Sequence, residues 1–486
     1  MRHVLSLMLP ALLLTACAVG PDYRRPDIDT PEEWIYASEE AAQTANARWW
    51  RQFDDPVLNE LIVTALRENK DVRIAAARVE EFIGRLRTTR GGLFPQFGYD
   101  LDGQRQKTPA PGGASIGESY GAVINARWEI DLWGKLRRAS EAARADLLAS
   151  EEARRTVILT LVSAVANTYI GLRSLDRQLE VAIRTRDSRK EALKIFEMRY
   201  RGGVVSQMEL AQVRSEYEQA AAAVPVQERR IAQTENALSV LLGRNPGPIP
   251  RGRRIDELAL PPVPEALPSS LLEQRPDIRQ AEQALIAANA RIGVARARYF
   301  PSISLTGFFG SVSNELSDLF SGPAGTWNFA GNITGPIFTA GAISGEVQTA
   351  TALQQQALLR YQQTIQQAFR EVEDALIGHR KFREQLAAQR RRVAALADYA
   401  RLARLRYDSG YTSYLEVVDA ERSLFNAELS YAQNQSEVYA ALVDIYKSVG
   451  GGWVVEAEKL GAAGADASPA PAADAPESQA AATTAE

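Results

Sequence analysis

Histidine and cysteine are nearly missing from this chain. Among 486 residues there are two histidines, His3 and His379, and one cysteine, Cys17. That inventory leaves no room for a Cys/His metal site or a disulfide framework, and next to none for a catalytic histidine. A surplus of one charge is missing too: 56 Lys and Arg face 60 Asp and Glu, for a net charge of −4. Nucleic-acid binders carry a basic excess that this chain lacks. Long hydrophobic runs are absent after the first sixteen residues, so no membrane-spanning helix is expected downstream. The phosphate loop G-x-x-x-x-G-K-[ST], the zinc motif H-E-x-x-H and the nucleophile motif G-x-S-x-G do not occur. Acidic groups such as Glu371, Glu373 and Asp374 read as solvated charge on a helix. No enzyme activity and no cofactor are expected.

What is present begins with a targeting segment. Arg2 is followed by an apolar stretch, Val4 to Ala16, too short to span a bilayer. It ends in Leu14-Thr15-Ala16-Cys17, so the only cysteine stands where small residues close a signal. An ordinary secretory signal with a chance cysteine is the plain reading. A bacterial lipobox, with residues 1–16 removed and Cys17 lipidated, is the sharper one, and Ala18 after it resembles signals sorted to the outer membrane.

The rest of the chain is written twice. Asp71 matches Asp277, Phe94-Pro95 matches Phe300-Pro301, Gly203 matches Gly410 and Gly243 matches Gly450, all offset by 206 or 207 residues. A near-constant offset over four anchors marks a duplicated unit of about 200 residues. Each half has one order: a helix, two strands, a very long helix, a tight turn and a second long helix. The predicted boundaries are 17–54 for a lipidated N-terminal segment, 55–250 for the first repeat, 251–269 for a Pro-rich linker and 270–453 for the second repeat. Residues 454–486, rich in Ala and Pro, are expected as a disordered tail. In the first repeat Asp55-Pro56 reads as N-cap and first turn of one helix running to about Thr89.

Four strands of about ten residues alternate apolar and polar side chains. In one of them Tyr120, Ala122, Ile124, Ala126, Trp128 and Ile130 alternate with Asn125, Arg127, Glu129 and Asp131. Such a sheet ordinarily covers a soluble core. Here the strand length matches the ~9–11 residues that a tilted strand needs to cross hydrocarbon. The N-terminal signal points to a membrane as well, and the adjoining helices are too long to fold back as a cover. Open sheet edges do not persist in lipid, and four strands do not close a barrel. The barrel must be shared between at least two copies.

From about Gly134 to Tyr200, and again from about Ser344 to Tyr407, the pattern is helical without proline, on the order of 100 Å each at ~1.5 Å per residue. Heptad seams run through Ile158, Val165, Leu172 and Leu179, and through Ile365, Val372, His379, Leu386, Val393 and Ala400. His379 reads as a packed seam residue. Both helices end on a glycine suited to the left-handed region, Gly203 and Gly410, and each turn leads into a predicted capping box, Ser206 with Glu209 and Ser413 with Glu416.

With these features in order, the chain resembles the TolC-type outer-membrane efflux proteins, in particular their lipoprotein branch (OprM/NodT-like). "CAVGPDYRRP", "WWRQFDDPVLNELI", "WEIDLWGKLRRA" and "SYLEVVDAERSLFNAEL" carry the likeness, which covers residues 17 to 453. The resemblance implies an α plus transmembrane-β fold: a homotrimer whose twelve-stranded β-barrel, four strands per protomer, continues into a long periplasmic α-helical barrel. It implies an outer-membrane, lipid-anchored exit duct of a tripartite pump. The partners would be outer-membrane lipid, a periplasmic adaptor and an inner-membrane transporter of the resistance-nodulation-division type. The tips around Gly203, Ser206, Gly410 and Ser413 would meet the adaptor. The matching positions for a periplasmic gate are Leu415, Asp419 and Arg422, which share one helical face. The plain alternative there is a solvated Asp419–Arg422 pair worth ~0.3–0.5 kcal/mol. Asp419 and Arg422 align with Gln212 and Ser215 in the first repeat, so the charge stands in one copy only. A protein-exporting duct of type I secretion would share this fold, and a pore-free coiled-coil adaptor is the rival of a different class.

Overall fold

The computed structural model describes residues 18–36, 48–111, 113–264 and 268–465. Residues 1–17, including Cys17, and those beyond 465 lie outside the described residues.

Asp55 caps helix α1 (Pro56–Glu68), its carboxylate accepting from the amides of Val57 and Leu58. The chain was expected to stay helical to Thr89. Instead Asn69 interrupts it with ψ 132° and caps a second helix, α2 (Lys70–Gly91), by accepting from Asp71 and Val72. A residue that satisfies helix amides with its own side chain competes with helix continuation, which is why the break falls there. Strands β1 (Gln96–Ala110) and β2 (Gly113–Ile130) follow, then helix α3 (Lys135–Arg201) of 67 residues. Helix α4 (Gln207–Leu241) returns along α3. The second repeat gives α5 (Pro276–Ala297), β3 (Ser302–Ser313), β4 (Gly325–Thr334), α6 (Ala342–Asp408), also 67 residues, and α7 (Tyr414–Val449).

The four strands form one antiparallel sheet in the order β1-β2-β3-β4. Register puts Tyr99, Ile124, Phe309 and Trp327 in one row and Phe97, Ala126, Gly307 and Phe329 in the next, all on one face. That face is bare: Tyr99 is 80% exposed, Trp327 68% and Phe329 78%. β1 and β2 are longer than the ten residues expected, because their hairpin continues past the ends of β3 and β4.

The passage from sheet to helix is an elbow built by two residues. Gly134 takes φ +79°, and the Asp131 carboxylate accepts from the Leu136 and Arg137 amides at 3.0 and 2.9 Å. The acidic residue directly after β2 thus satisfies donors in the first turn of α3, where a negative charge is favoured.

The main core lies midway along the long helices. It gathers Leu58 and Ile62 of α1, Ile158, Val165 and Tyr169 of α3, Ile365 and Val372 of α6, and Val443 and Tyr446 of α7. α3 also carries an 18-residue window apolar enough for a membrane by composition, and it is this core that takes up its buried side chains. The expected tail is corrected in part. Residues Trp453–Ala465 form helix α8, with Trp453 and Ala457 fully buried. Trp453 sets its ring edge-on to Trp49 and Trp50, each at 5.8 Å, and Trp49 stacks on Tyr446 at 5.3 Å. Val454 and Ala457 bury beside Trp453, so the first turns of α8 add an apolar face to this aromatic cluster.

Between the main core and the sheet α3 packs between α2 and α5, and α6 covers the far side of α5; toward the tips α3 and α7 lie between α4 and α6. The helical layer therefore ends on free edges, as the sheet does. The α6 seam shows this. Ile365, Val372 and His379 are buried, whereas Leu386, Val393 and Ala400 are only half covered.

Candidate functional site: a conduit and its periplasmic tip

At the far end of the hairpins both turns close as the sequence requires. Gly203 and Gly410 take φ +71° and +75°, and the Val204 and Tyr411 amides reach back to the carbonyls of Arg199 and Arg406 at 2.9 Å. The Ser206–Glu209 capping box is complete. The Ser413–Glu416 box is not: Ser413 makes no side-chain cap, and Glu416 instead bonds the Thr412 hydroxyl and Arg406. Thr412 stands where the first tip has Val205, and Arg406 is free to join it on Glu416 because its counterpart Arg199 is turned to Tyr407 instead; together they hold the carboxylate away from the cap. Gly203, Ser206, Gly410 and Ser413 are all exposed.

Leu415, Asp419 and Arg422 share an open face of α7, opposite the buried Val417, Val418 and Ala420. Asp419 pairs with Arg422 at 2.8 Å, both about half exposed. The aspartate charge is thus compensated inside the protomer, as the plain alternative anticipated. An exposed pair of this kind is readily opened by solvent or a competing charge.

Behind that face an aromatic clasp joins the two hairpins. Phe196 of α3 lies against Tyr414 at 4.3 Å, and the Arg199 guanidinium donates to the Tyr407 hydroxyl at 2.7 Å. Next to it sits a cluster that sequence reading did not single out. Arg189 of α3, 4% exposed, pairs with Glu216 of α4 at 3.0 Å, and Arg404 of α6 faces Glu421 of α7 at 3.9 Å. Burial raises the Glu421 carboxyl above its ordinary value, against the pull of Arg404 and Arg189. Burial likewise lowers the Arg189 guanidinium. The signal was in the spacing. Ala182, Arg189 and Phe196 recur every seventh residue along a buried seam, so Arg189 occupies a place where an apolar residue is due. His379 is 4% exposed, its Nδ1 3.4 Å from the Val438 carbonyl, as a packed seam residue should be.

At the other end a strap of residues 18–36 runs down the helices. The Val19 amide donates to the Trp133 carbonyl at 3.0 Å, Asp22 pairs with Arg138 at 2.6 Å, and the Ile35 amide donates to Glu373 at 2.8 Å. Its first described residue, Ala18, lies against Gly134, where a Cβ would come within 2.9 Å of the Ala18 Cα. That is the base of the sheet, lined by Trp128, whose indole N–H donates to the Leu93 carbonyl, and by Trp133 stacked on Phe300 at 4.7 Å.

The sequence profile of the family described as "Outer membrane efflux protein" matches residues 61–244 and again 267–451, one match per repeat. The chain belongs to that family. It is 37% identical over 464 residues to the probable efflux pump outer membrane protein TtgC of Pseudomonas putida, covering 93% of this chain and 96% of the relative. It is 37% identical over 454 residues to the cation efflux system protein CusC of Escherichia coli, covering 91% and 97%. Among solved structures, the Neisseria gonorrhoeae MtrE outer membrane channel superposes with a TM-score of 0.82 at 33% identity, covering 90% of this chain and 99% of that one. As an outer membrane efflux protein the chain closes both free edges in a trimer. Four strands from each copy make a twelve-stranded barrel, and the helices continue it as a periplasmic tube. Its place is the outer membrane, and its role is that of an efflux-pump channel.

Proposed function

We propose that this protein is the passive exit duct of a tripartite pump, carrying small molecules from an inner-membrane transporter to the outside. One observation carries the reading: an apolar-faced sheet, open at both edges, turns through the Asp131 elbow into helices of ~100 Å with no intervening domain. A barrel that opens into a tube of that length spans the outer membrane and much of the periplasm without a second protein.

The exposed tips at Gly203, Ser206, Gly410 and Ser413 meet a periplasmic adaptor, and the adaptor meets a transporter of the resistance-nodulation-division type. Leu415, Asp419 and Arg422 line the narrowest part of the tube near the tip. Their open placement on α7, one turn away from the aromatic clasp, supports this role. Energy enters at the inner membrane. Relatives are named for toluene, solvent, antibiotic and cation efflux. A duct lined by generic polar side chains takes its cargo from the transporter, so this chain serves whichever class that partner selects.

Cys17 carries the lipid. Support comes from Ala18, which the strap holds against Gly134 at the base of the sheet. A lipid one residue before it enters the inner leaflet beside the barrel.

Single-channel recording in planar bilayers tests the duct. Discrete conductance steps are expected from the purified trimer, and a protein that inserts without conducting contradicts the proposal.

A further inference from the structure

The β1–β2 hairpin overshoots the barrel. The β2–β3 ladder stops at Tyr120↔Ser313, yet β1 and β2 stay paired from Gln104↔Ser119 to Ala110↔Gly113. These seven pairs form a ribbon of about 23 Å at ~3.3 Å per residue. A lone two-stranded ribbon is marginal in water and gains from a surface to rest on.

Its two sides differ. Side chains alternate along β1, so Phe97, Tyr99, Leu101, Arg105 and Lys107 point one way. Gln104, Gln106 and Thr108 point the other way, toward the axis. Gly103 holds the gap in the outward row, and the Tyr120 ring covers it, within 3.4 Å of where a Cβ would stand. Read upward from the membrane, the outward side runs from large apolar residues to a tyrosine and then to two cations. Both basic residues of the ribbon are on that side and none is on the inner side. Arg105 is 70% exposed and only partly engaged by Glu118 at 3.1 Å, and Lys107 is exposed.

The distance from Leu101 to Arg105 is about 13 Å along the strand at ~3.3 Å per residue, less in height once the strand tilts. That places the cations just above the hydrocarbon, at headgroup level. We propose that the outward side of this ribbon binds the phosphate groups of the glycolipid in the outer leaflet, with Arg105 and Lys107 as the ligating cations. The proposal rests on the reading of the apolar sheet face as lipid-facing. It adds a specific anionic-lipid site to a band that otherwise recognises only hydrocarbon.

The test uses the full-length trimer in phosphatidylethanolamine nanodiscs. One set contains lipopolysaccharide with phosphorylated lipid A, the other its dephosphorylated form. Amide exchange over residues 104–119 is read by mass spectrometry. A cation near an anionic surface is worth about a fivefold gain, so two, partly offset by Glu118, should slow exchange on the order of tenfold in the phosphorylated discs. Arg105→Gln/Lys107→Gln should lose that difference. Equal exchange of the wild-type ribbon in the two lipids overturns the proposal and needs no variant. Equal slowing by inorganic phosphate in discs without glycolipid also overturns it, because a soluble anion would then suffice. A failure of the barrel reading looks different: the protein would not enter the discs as a trimer.

Discussion

The Tyr169 hydroxyl donates to the Asp55 carboxylate at 2.9 Å and accepts from the Gly252 amide at the same distance, with both side chains fully buried. Asp55 thereby caps α1 while its second oxygen also holds the linker through the Arg253 amide at 3.1 Å. The contact ties the first repeat's entry helix, its long helix and the connection to the second repeat. Gly252 is required there, since a Cβ would come within 2.1 Å of the carboxylate. Tyr169→Phe removes one donor from a buried carboxylate and should cost about 1–3 kcal/mol. Denaturant unfolding followed by tryptophan fluorescence measures it, and an unshifted midpoint would show that the linker holds without this bond.

Trp453→Ala empties the centre of the cluster formed with Trp49 and Trp50. A loss of roughly 3–5 kcal/mol is expected for a buried aromatic of this size. Because α8 rests on this anchor, proteolysis of the folded trimer should begin in α8 in the variant and not in the wild type.

Removing the Asp419 carboxylate leaves Arg422 without its partner in the proposed constriction. Asp419→Ala should raise single-channel conductance and move ion selectivity toward anions. If neither changes, Asp419 does not line the narrow part of the tube.

Glu421 should impose a pH dependence near the tips. Its folded pKa is raised by burial, while Arg404 of α6 and Arg189 of α3 oppose the rise and Glu216 of α4 adds to it. Tyr414 and Arg422 are the other ionisable neighbours, on its own helix. Between the unfolded and the raised folded value the native state holds more protons, so local stability falls as pH increases through that window. Glu421→Gln should flatten the slope. Amide exchange in residues 414–430, compared from pH 7 down into the ordinary carboxylate range, checks it; parallel profiles for the two proteins would exclude Glu421.

Cys17→Ala should abolish incorporation of labelled palmitate in cells. Labelling that persists in the variant would place the lipid elsewhere or remove it from the argument.

Much of the fold was legible because its signals are periodic and local. The 206–207-residue offset, the strand alternation, the heptads and the turn glycines each depend on neighbours a few residues away, or on the chain's likeness to itself. The places where expectation and structure part company depend on competition in space. Asn69 breaks a helix because its own side chain satisfies the next helix's amides. Ser413 loses its partner because Thr412 and Arg406 take Glu416. The tail's first turns are ordered because Trp453 finds Trp49 and Trp50, more than four hundred residues earlier in the chain.

The sequence by itself determined that one copy could not be complete, since alternation written on four short strands demands a closed sheet that one chain does not supply. It also determined the length of the tube, because helix rise per residue is fixed by backbone geometry. Only the tertiary structure decided which charges are compensated and which stay free. Arg189 of α3 meets Glu216 of α4 inside a seam, and Arg404 of α6 faces Glu421 of α7. Charge compensation depends on distances of a few ångströms between side chains on different elements, and no pattern along the chain encodes those distances.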